Sequence, residues 1–335
     1  MVSSPTEPAT AEAARERVLV TRGLCKSYRT GHIIQGRRPA LVDLDFELLR
    51  GEILGYVGAN GSGKTTTFKI FMGLLKPDRG EVSILGEPLA SRAWRQRAGY
   101  LPEHPYLYDY LTAAEYLDYC GRLFGLAREA RRERTRELLS LVGLERSADI
   151  PMRRFSKGML QRAGLAQALV NDPELLFLDE PMSGLDPVGR RLVRDLILAQ
   201  RQAGKTVLFS THILSDAETL CDRVAVLRGG RLLSVGPLGE LLKLDVTHLE
   251  LLVSGVGSGA PGLETAQRAE AVGDRLRLLV EEGSLGRVVT AVEAAGGRVL
   301  GVQPVRRTLE DYFFEELGGA PQGAAARGAG AWGEG

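Results

Sequence analysis

The chain has 335 residues, 44% of them apolar and 25% charged, and its 43 basic residues against 42 acidic ones leave a formal net charge of +1. This is the balance of an ordinary folded protein, long enough for one large or two modest domains, and it gives no hint of a surface built to coat nucleic acid. No apolar run approaches the roughly 20 residues needed to cross a bilayer, and the start, MVSSPTEPATAEAARER, lacks the apolar stretch of a secretory signal. Cys25, Cys120 and Cys221 show neither a CxxC pair nor zinc spacing, which reads as reduced cysteines and no structural metal.

Residues 1–16 are rich in Pro, Thr, Ser, Ala and Glu and read as a disordered tail. VLVTRGLCKSY reads as a strand, RTGHIIQGRRPA as a connecting loop, and LVDLDFELLRGE as a half-buried strand of alternating character. EILGYVG is a short apolar run of the kind buried in a sheet, and TFKIFMGLL beyond it has helical spacing up to Gly73. GEVSILGEPL reads as a strand pair. From about 111 to 146, LTAAEYLDYCGRLFG and REARRERTRELLSLVGL form a helical insert whose many arginines suit a solvated face or a basic patch. ELLFLDEP and KTVLFSTH are continuous apolar runs that suit parallel strands covered on both faces. RVAVLRGGRLLSVG reads as a hairpin turning at Gly229 and Gly230.

Near residue 240 the pattern shifts again. HLELLV, RLRLLV and RVLGVQPV read as strands, SLGRVVTAVEAAGG and TLEDYFFEELG as helices, and VSGVGSGAPG as a loop. The last stretch, GGAPQGAAARGAGAWGEG, is of low complexity and reads as disordered.

Between the apolar strand and the helix lies GANGSGKTT, residues 58–66. Glycines without side chains let the backbone wrap a phosphate and aim N–H groups at it, and the following helix adds its positive end. In this strand–loop–helix setting Gly58, Asn60, Gly61, Ser62, Gly63, Lys64, Thr65 and Thr66 form a candidate triphosphate cradle. Lys64 is the point charge for the outer phosphates, and Thr65 holds Mg²⁺ through its hydroxyl. Asp179 and Glu180 end the apolar strand ELLFLDEP, where a nucleotide in this type of sheet binds. Asp179 then supports the metal and Glu180 is placed to activate water as general base.

With these motifs in order, residues 18–237 resemble the nucleotide-binding subunit of an ATP-binding cassette (ABC) transporter. FSKGMLQR resembles the family signature, PMSGLDP the loop that meets the opposite subunit, STH the switch-histidine strand and CKSY the adenine-stacking position. The resemblance implies that Ser156, Lys157 and Gly158 complete the ATP site of the partner subunit. It also implies that His212 reaches the γ-phosphate, Tyr28 stacks on adenine and Asp186 shapes the dimer contact. Physically, Ser156 and Gly158 just before the helix MLQRAGLAQALV would make an anion site, or serve as an N-cap alone. Two positions depart from the family pattern: Lys157 stands where glycine is usual, and Glu103 where glutamine is usual. Glutamate can still ligate Mg²⁺, but its charge alters the field near the γ-phosphate. Both departures are similar to the branch that serves two-component exporters of drugs, polysaccharides or related cargo.

The expected fold is α/β, a P-loop ABC cassette with a RecA-like core, an antiparallel β subdomain and a helical subdomain over about 104–165. The cassette spans 17–240 and a small α/β accessory domain 241–317, followed by a Gly/Ala-rich tail over 318–335. The expected function is an ATPase that uses ATP and Mg²⁺, closes as a homodimer and powers separate membrane permease subunits of an exporter. It would work in the cytoplasm at the inner face of the cell membrane, with no nucleic-acid partner. The alternative is a soluble ABC ATPase acting on the ribosome or nucleic acid. The accessory domain could stabilise the dimer, regulate the cycle or simply pack.

Overall fold

The computed structural model describes residues 16–30, 36–242, 248–257, 259–305 and 309–310. The chain divides after Leu238 into two compact units.

In the first unit, a six-stranded sheet runs in the order β10-β9-β3-β8-β7-β6. β3 (Ile53–Val57), β6 (Ala98–Leu101), β7 (Leu175–Leu178), β8 (Thr206–Thr211) and β9 (Arg223–Arg228) are parallel, and β10 (Arg231–Pro237) returns antiparallel from the hairpin. β3, β7 and β8 are buried at every residue, as their unbroken apolar runs require once helices cover both faces. On one face Phe46, Tyr56, Phe68, Phe71 and Phe177 form a continuous ring cluster with centroids 5.5–6.4 Å apart. Truncating one such ring to alanine costs about 3–5 kcal/mol.

An antiparallel sheet, in the order β2-β1-β4-β5, packs its own apolar face into that cluster. β1 is Arg17–Thr30, β2 Gly36–Leu49, β4 Arg79–Ile84 and β5 Glu87–Pro88. The expected loop after Tyr28 is therefore shorter than its composition suggested. Arg37–Ala40 extend β2, because Tyr28, Arg29 and Ser27 of β1 pair with Arg38, Arg37 and Pro39. Ladder pairing overrides the local Gly, Arg and Pro signals there. Glu16 is anchored as well: its carboxylate accepts from Arg50 at 2.7 and 3.0 Å.

The helical insert comprises α2 (Ala113–Leu123), α3 (Arg128–Leu141) and α4 (Lys157–Ala168), with α1 (Lys64–Phe71) following the glycine loop. Thr112 starts α2 with a capping box: its hydroxyl accepts from the Glu115 amide, and the Glu115 carboxylate accepts from the Thr112 amide. Leu117, Leu138, Leu139, Met152 and Leu165 bury against Leu176, Leu178 and Phe209, so the insert shares one core with the sheet. Four of the five arginines of α3 divide into two sets. Arg131 bonds Asp118 and Arg134 bonds the Leu169 carbonyl, whereas Arg132 and Arg136 line an exposed groove.

The described residues of the second unit form an antiparallel sheet in the order β12-β13-β11-β14, packed with the helix Leu285–Ala294. β11 (His248–Ser254) and β13 (Arg275–Glu281) alternate strictly. Leu249, Leu251, Val253, Leu276, Leu278 and Val280 face the core they share with Val288 and Val292. β14 is Arg298–Val305, and β12 (Arg268–Val272) is an additional, fully exposed edge strand. The expected final helix, TLEDYFFEELG, lies outside the described residues apart from Leu309 and Glu310, as do both tails apart from Glu16.

Candidate active site

Four neighbouring parallel strands place the candidate residues at their carboxyl ends. The glycine loop follows β3, His212 follows β8, Asp179 and Glu180 follow β7, and Glu103 lies just beyond β6. This is where ligands bind in open parallel sheets. A cleft of about 560 Å³ opens there, lined by Tyr28, Arg38, Pro39, Ala40, Asn60, Gly61, Gly63, Lys64, Thr65, Thr66, Glu103 and Glu180. A larger cavity of about 960 Å³ lies against the antiparallel sheet, rimmed by Arg22, Lys76 and Arg95, but no part of the glycine loop and neither strand-end carboxylate lines it.

The loop geometry depends on its glycines. A Cβ on Gly58 would collide with the Leu227 carbonyl and with the Ser62 hydroxyl. Gly63 has φ +112°, which side-chain-bearing residues rarely adopt, and it starts α1 directly. Lys64 is buried; its ammonium donates to the Gly58 carbonyl at 2.7 Å and meets Glu180 Oε1 at 3.3 Å. The other oxygen of Glu180 lies 2.9 Å from His212 Nδ1. With the proton on Nδ1, His212 donates to the carboxylate and its Nε2 remains available. Glu180 thus sits between two cationic or donor groups, on a backbone with φ +50°.

Asp179 is fully buried. Burial pushes its carboxyl above the ordinary value, opposed by hydrogen bonds from the Ser210 and Thr65 hydroxyls. Ser210 Oγ donates to Asp179 Oδ1 at 2.6 Å and accepts from the Glu180 amide at 2.9 Å. Asp179 Oδ2 and the Ser62 hydroxyl are buried without a hydrogen-bond partner. Two orphaned oxygen atoms beside Thr65 and Glu103 suit a hard cation and phosphate oxygens. Among the described residues no set of three or more His, Cys, Asp or Glu is arranged to hold a metal. An ion here would therefore take most of its ligands from phosphate and water, as Mg²⁺ does.

Tyr28 is 43% exposed at the cleft mouth, with its hydroxyl 3.3 Å from that of Thr66. Ser156, Lys157, Gly158 and Asp186 lie outside the cleft of this chain. Ser156 is the N-cap of α4, its hydroxyl accepting from the Met159 amide at 3.2 Å. The helix therefore begins at Lys157, two residues earlier than the apolar spacing implied, and Gly158 is in its first turn. The Lys157 side chain lies over Gly184, where an added Cβ would come within 2.7 Å of its ammonium. Asp186 caps α5 (Pro187–Gln202) by accepting from the Gly189 amide at 2.8 Å.

Three contributors escaped the sequence reading. Arg38 entered the cleft because β2 is longer than expected. Ser210 and Gln161 are ordinary polar residues inside apolar runs; only the fold brings them to the Asp179–Glu180 corner.

Comparison with known proteins agrees with this geometry. Residues 41–183 match the ABC transporter family. An ABC transporter ATP-binding protein of Synechocystis is 40% identical over 95% of this chain and 89% of its own length. The Nod factor export ATP-binding protein I of Ralstonia nicotianae is 37% identical over 77% of this chain and 80% of its own. Among solved structures, an ATP-binding subunit of an ABC transporter superposes with a TM-score of 0.60 at 35% identity, covering 68% of this chain and 92% of that one. A dimeric ATP-binding cassette in a post-hydrolysis state with ADP and Pi gives 0.61 at 27% identity, over 66% and 98%. The fold is the P-loop ABC cassette, and the chain belongs to the ABC transporter ATP-binding proteins, a family of ATPases.

Proposed function

We propose that this chain is the ATP-hydrolysing subunit of an exporter, working as a head-to-tail pair of copies bound to separate membrane subunits. The observation that carries the catalytic part is the convergence of Lys64 and His212 on the two oxygens of Glu180. When ATP binds, the Lys64 ammonium is drawn from Glu180 and the Gly58 carbonyl toward the outer phosphates. Glu180 then accepts a proton from the attacking water, and His212 holds its carboxylate in line. Tyr28 stacks on the adenine, and Asn60, Gly61, Ser62, Gly63 and Thr66 surround the phosphates.

Thr65, Asp179 and Glu103 would hold Mg²⁺, which when bound neutralises charge on the phosphates. Ser156 and Gly158 of one copy would face the phosphates held by the other copy. The Lys157 side chain lies over Gly184, and Ser156 at the start of α4 is exposed. Asp186 would shape the contact between copies by fixing the start of α5. The dimeric state of a related cassette supports this pairing.

The exporter reading draws on relatives named for Nod factor export, and the membrane partner on the helical insert. No helix of the described residues is long and apolar enough to cross a membrane. The insert instead exposes aromatic side chains: Tyr106 is 94% and Tyr110 65% exposed, and Tyr108 packs tilted against Tyr110 and edge-on against Tyr116 and Tyr119, with centroids 5.9–6.1 Å apart. Exposed aromatics in mutual contact mark a surface that a partner covers. Transporter names among the relatives favour this reading over a ribosome- or nucleic-acid-directed ATPase.

The test is capture from gently solubilised membranes with tagged chain carrying Glu180→Gln in the presence of ATP. A co-purifying protein with several apolar spans, each of about 20 residues, is expected. Recovery with ribosomes or nucleic acid and no membrane protein would overturn the transport reading and leave the ATPase chemistry standing.

A further inference from the structure

Gln161 is buried on α4, and its side-chain amide bridges to the strand-end loop of the active site. Nε2 donates to the Glu180 carbonyl at 3.4 Å and to the Pro181 carbonyl at 3.3 Å. A buried amide is costly unless it is bonded, and this one bonds the backbone that carries the catalytic carboxylate.

That backbone needs holding. Glu180 has φ +50°, a conformation that persists in a side-chain-bearing residue only where the surroundings enforce it. Two side chains supply the restraint from opposite ends of the residue. Ser210 Oγ accepts from the Glu180 amide, and Gln161 donates to the Glu180 carbonyl, which also accepts from the Ser183 amide at 3.0 Å. Between those anchors the carboxylate reaches Lys64 at 3.3 Å and His212 at 2.9 Å. A general base must stay within hydrogen-bond reach of its proton, so a small rotation at this residue removes it from line. Gln161 also lies on the helix that Ser156 caps, so the exposed signature end and the catalytic backbone are joined by one continuous element.

We infer that Gln161 is a positioning residue for Glu180. Its amide fixes the left-handed backbone that aims the carboxylate, and it ties that aim to α4, the helix beginning at Ser156. The inference rests on Glu180 being the general base.

The test uses the full chain with Gln161→Met, which keeps the volume and removes the donor. Turnover per bound nucleotide should fall at least tenfold, while KM and the Kd for ADP stay within twofold of wild type. Amide exchange at residues 180–182 should rise in the same variant. A purely structural role would lower the fraction of chains that bind ADP and leave turnover per bound nucleotide unchanged, and that result would overturn the inference. Gln161→Glu replaces the donor by an acceptor and should lose turnover to at least the same degree; if the methionine variant does not fold, this one decides. Glu180→Gln is assayed alongside. If it keeps wild-type turnover, the base assignment fails whatever Gln161 does. If it is inactive while both Gln161 variants run at full rate with unchanged exchange, the positioning role alone fails.

Discussion

The strand-end cleft and the tyrosine face of the helical insert are built on opposite plans. At the strand ends the two carboxylates are held by named partners: Lys64 and His212 hold Glu180, Ser210 holds Asp179 and the Glu180 amide, and Gln161 holds the Glu180 carbonyl. Asp179 Oδ2 and Ser62 Oγ are buried without a hydrogen-bond partner, where the proposed metal ion and phosphates would supply one. On the insert large aromatic rings face outward, with Tyr106, Tyr108, Tyr110 and Tyr119 all exposed. Reactive atoms must be preorganised, and the first region holds its candidate base through bonds to both carboxylate oxygens and both backbone groups. On the proposed reading a docking surface stays open until its partner arrives, and the second region offers exposed rings to that partner.

The largest expected effect tests the strand-end side of this contrast. Lys64→Ala removes the charge that pairs with Glu180 and that, on the proposed reading, meets the outer phosphates. Steady-state ATP turnover should fall at least a hundredfold, equivalent to about 2.7 kcal/mol of transition-state stabilisation. Turnover within a few-fold of wild type would show that the buried lysine only fills space.

The next effect belongs to the open side. Replacing Tyr108 and Tyr119 together by alanine removes the centre of the ring cluster and leaves the strand-end site untouched. Basal ATP turnover of the purified chain should stay within twofold, whereas capture of a membrane protein should drop about tenfold or more, read by quantitative co-purification. Loss of basal turnover with unchanged capture would invert the two roles.

Most of the strand-end region was legible in the sequence, and the open region only in part. Gly58 to Thr66 have fixed spacing because a phosphate cradle needs bare backbone at set positions, and Asp179 and Glu180 stand at the end of an unbroken apolar strand. Ser210 and Gln161 carry no such signature: each acts through tertiary contacts with residues about 20 to 30 positions away. Arg38 was hidden by local turn formers that pairing with β1 overrode. In the insert, periodicity was sufficient for helices α2 and α3, but not for which tyrosines would remain exposed. β12, RAEAV, is exposed along its length and has no buried face to give it alternation.

Two smaller effects sharpen the contrast. Thr112→Ala breaks the capping box that begins α2, beneath the tyrosine face. It should cost about 1 kcal/mol, seen as a midpoint shift of about 2–4 °C on thermal unfolding, with basal turnover unchanged. No shift would mean that the insert's packing, not its cap, sets the helix start.

The smallest effect concerns Glu174, at the amino end of β7 and away from the cleft. Hydrogen bonds from Arg97 and Arg50 hold its carboxyl down to about 2 from an ordinary 4.5. A depressed carboxylate stabilises the fold above its unfolded-state value and loses that contribution as pH falls toward its folded-state value. Glu174→Gln should therefore lower stability most above pH about 4.5, with the difference from wild type fading by pH about 2. The pair is partly exposed, so high salt should shrink the difference as well. A pH-independent difference in denaturant midpoints would contradict the ion-pair account.

The central claim is that Glu180, poised between Lys64 and His212, is the group that ends the ATP-closed state. The most direct measurement is the solution mass and nucleotide content of the purified Glu180→Gln chain with and without ATP and Mg²⁺. The expected result is a single copy without ATP and two copies with it, holding intact ATP. A mass that stays at one copy while ADP accumulates at the wild-type rate would contradict it.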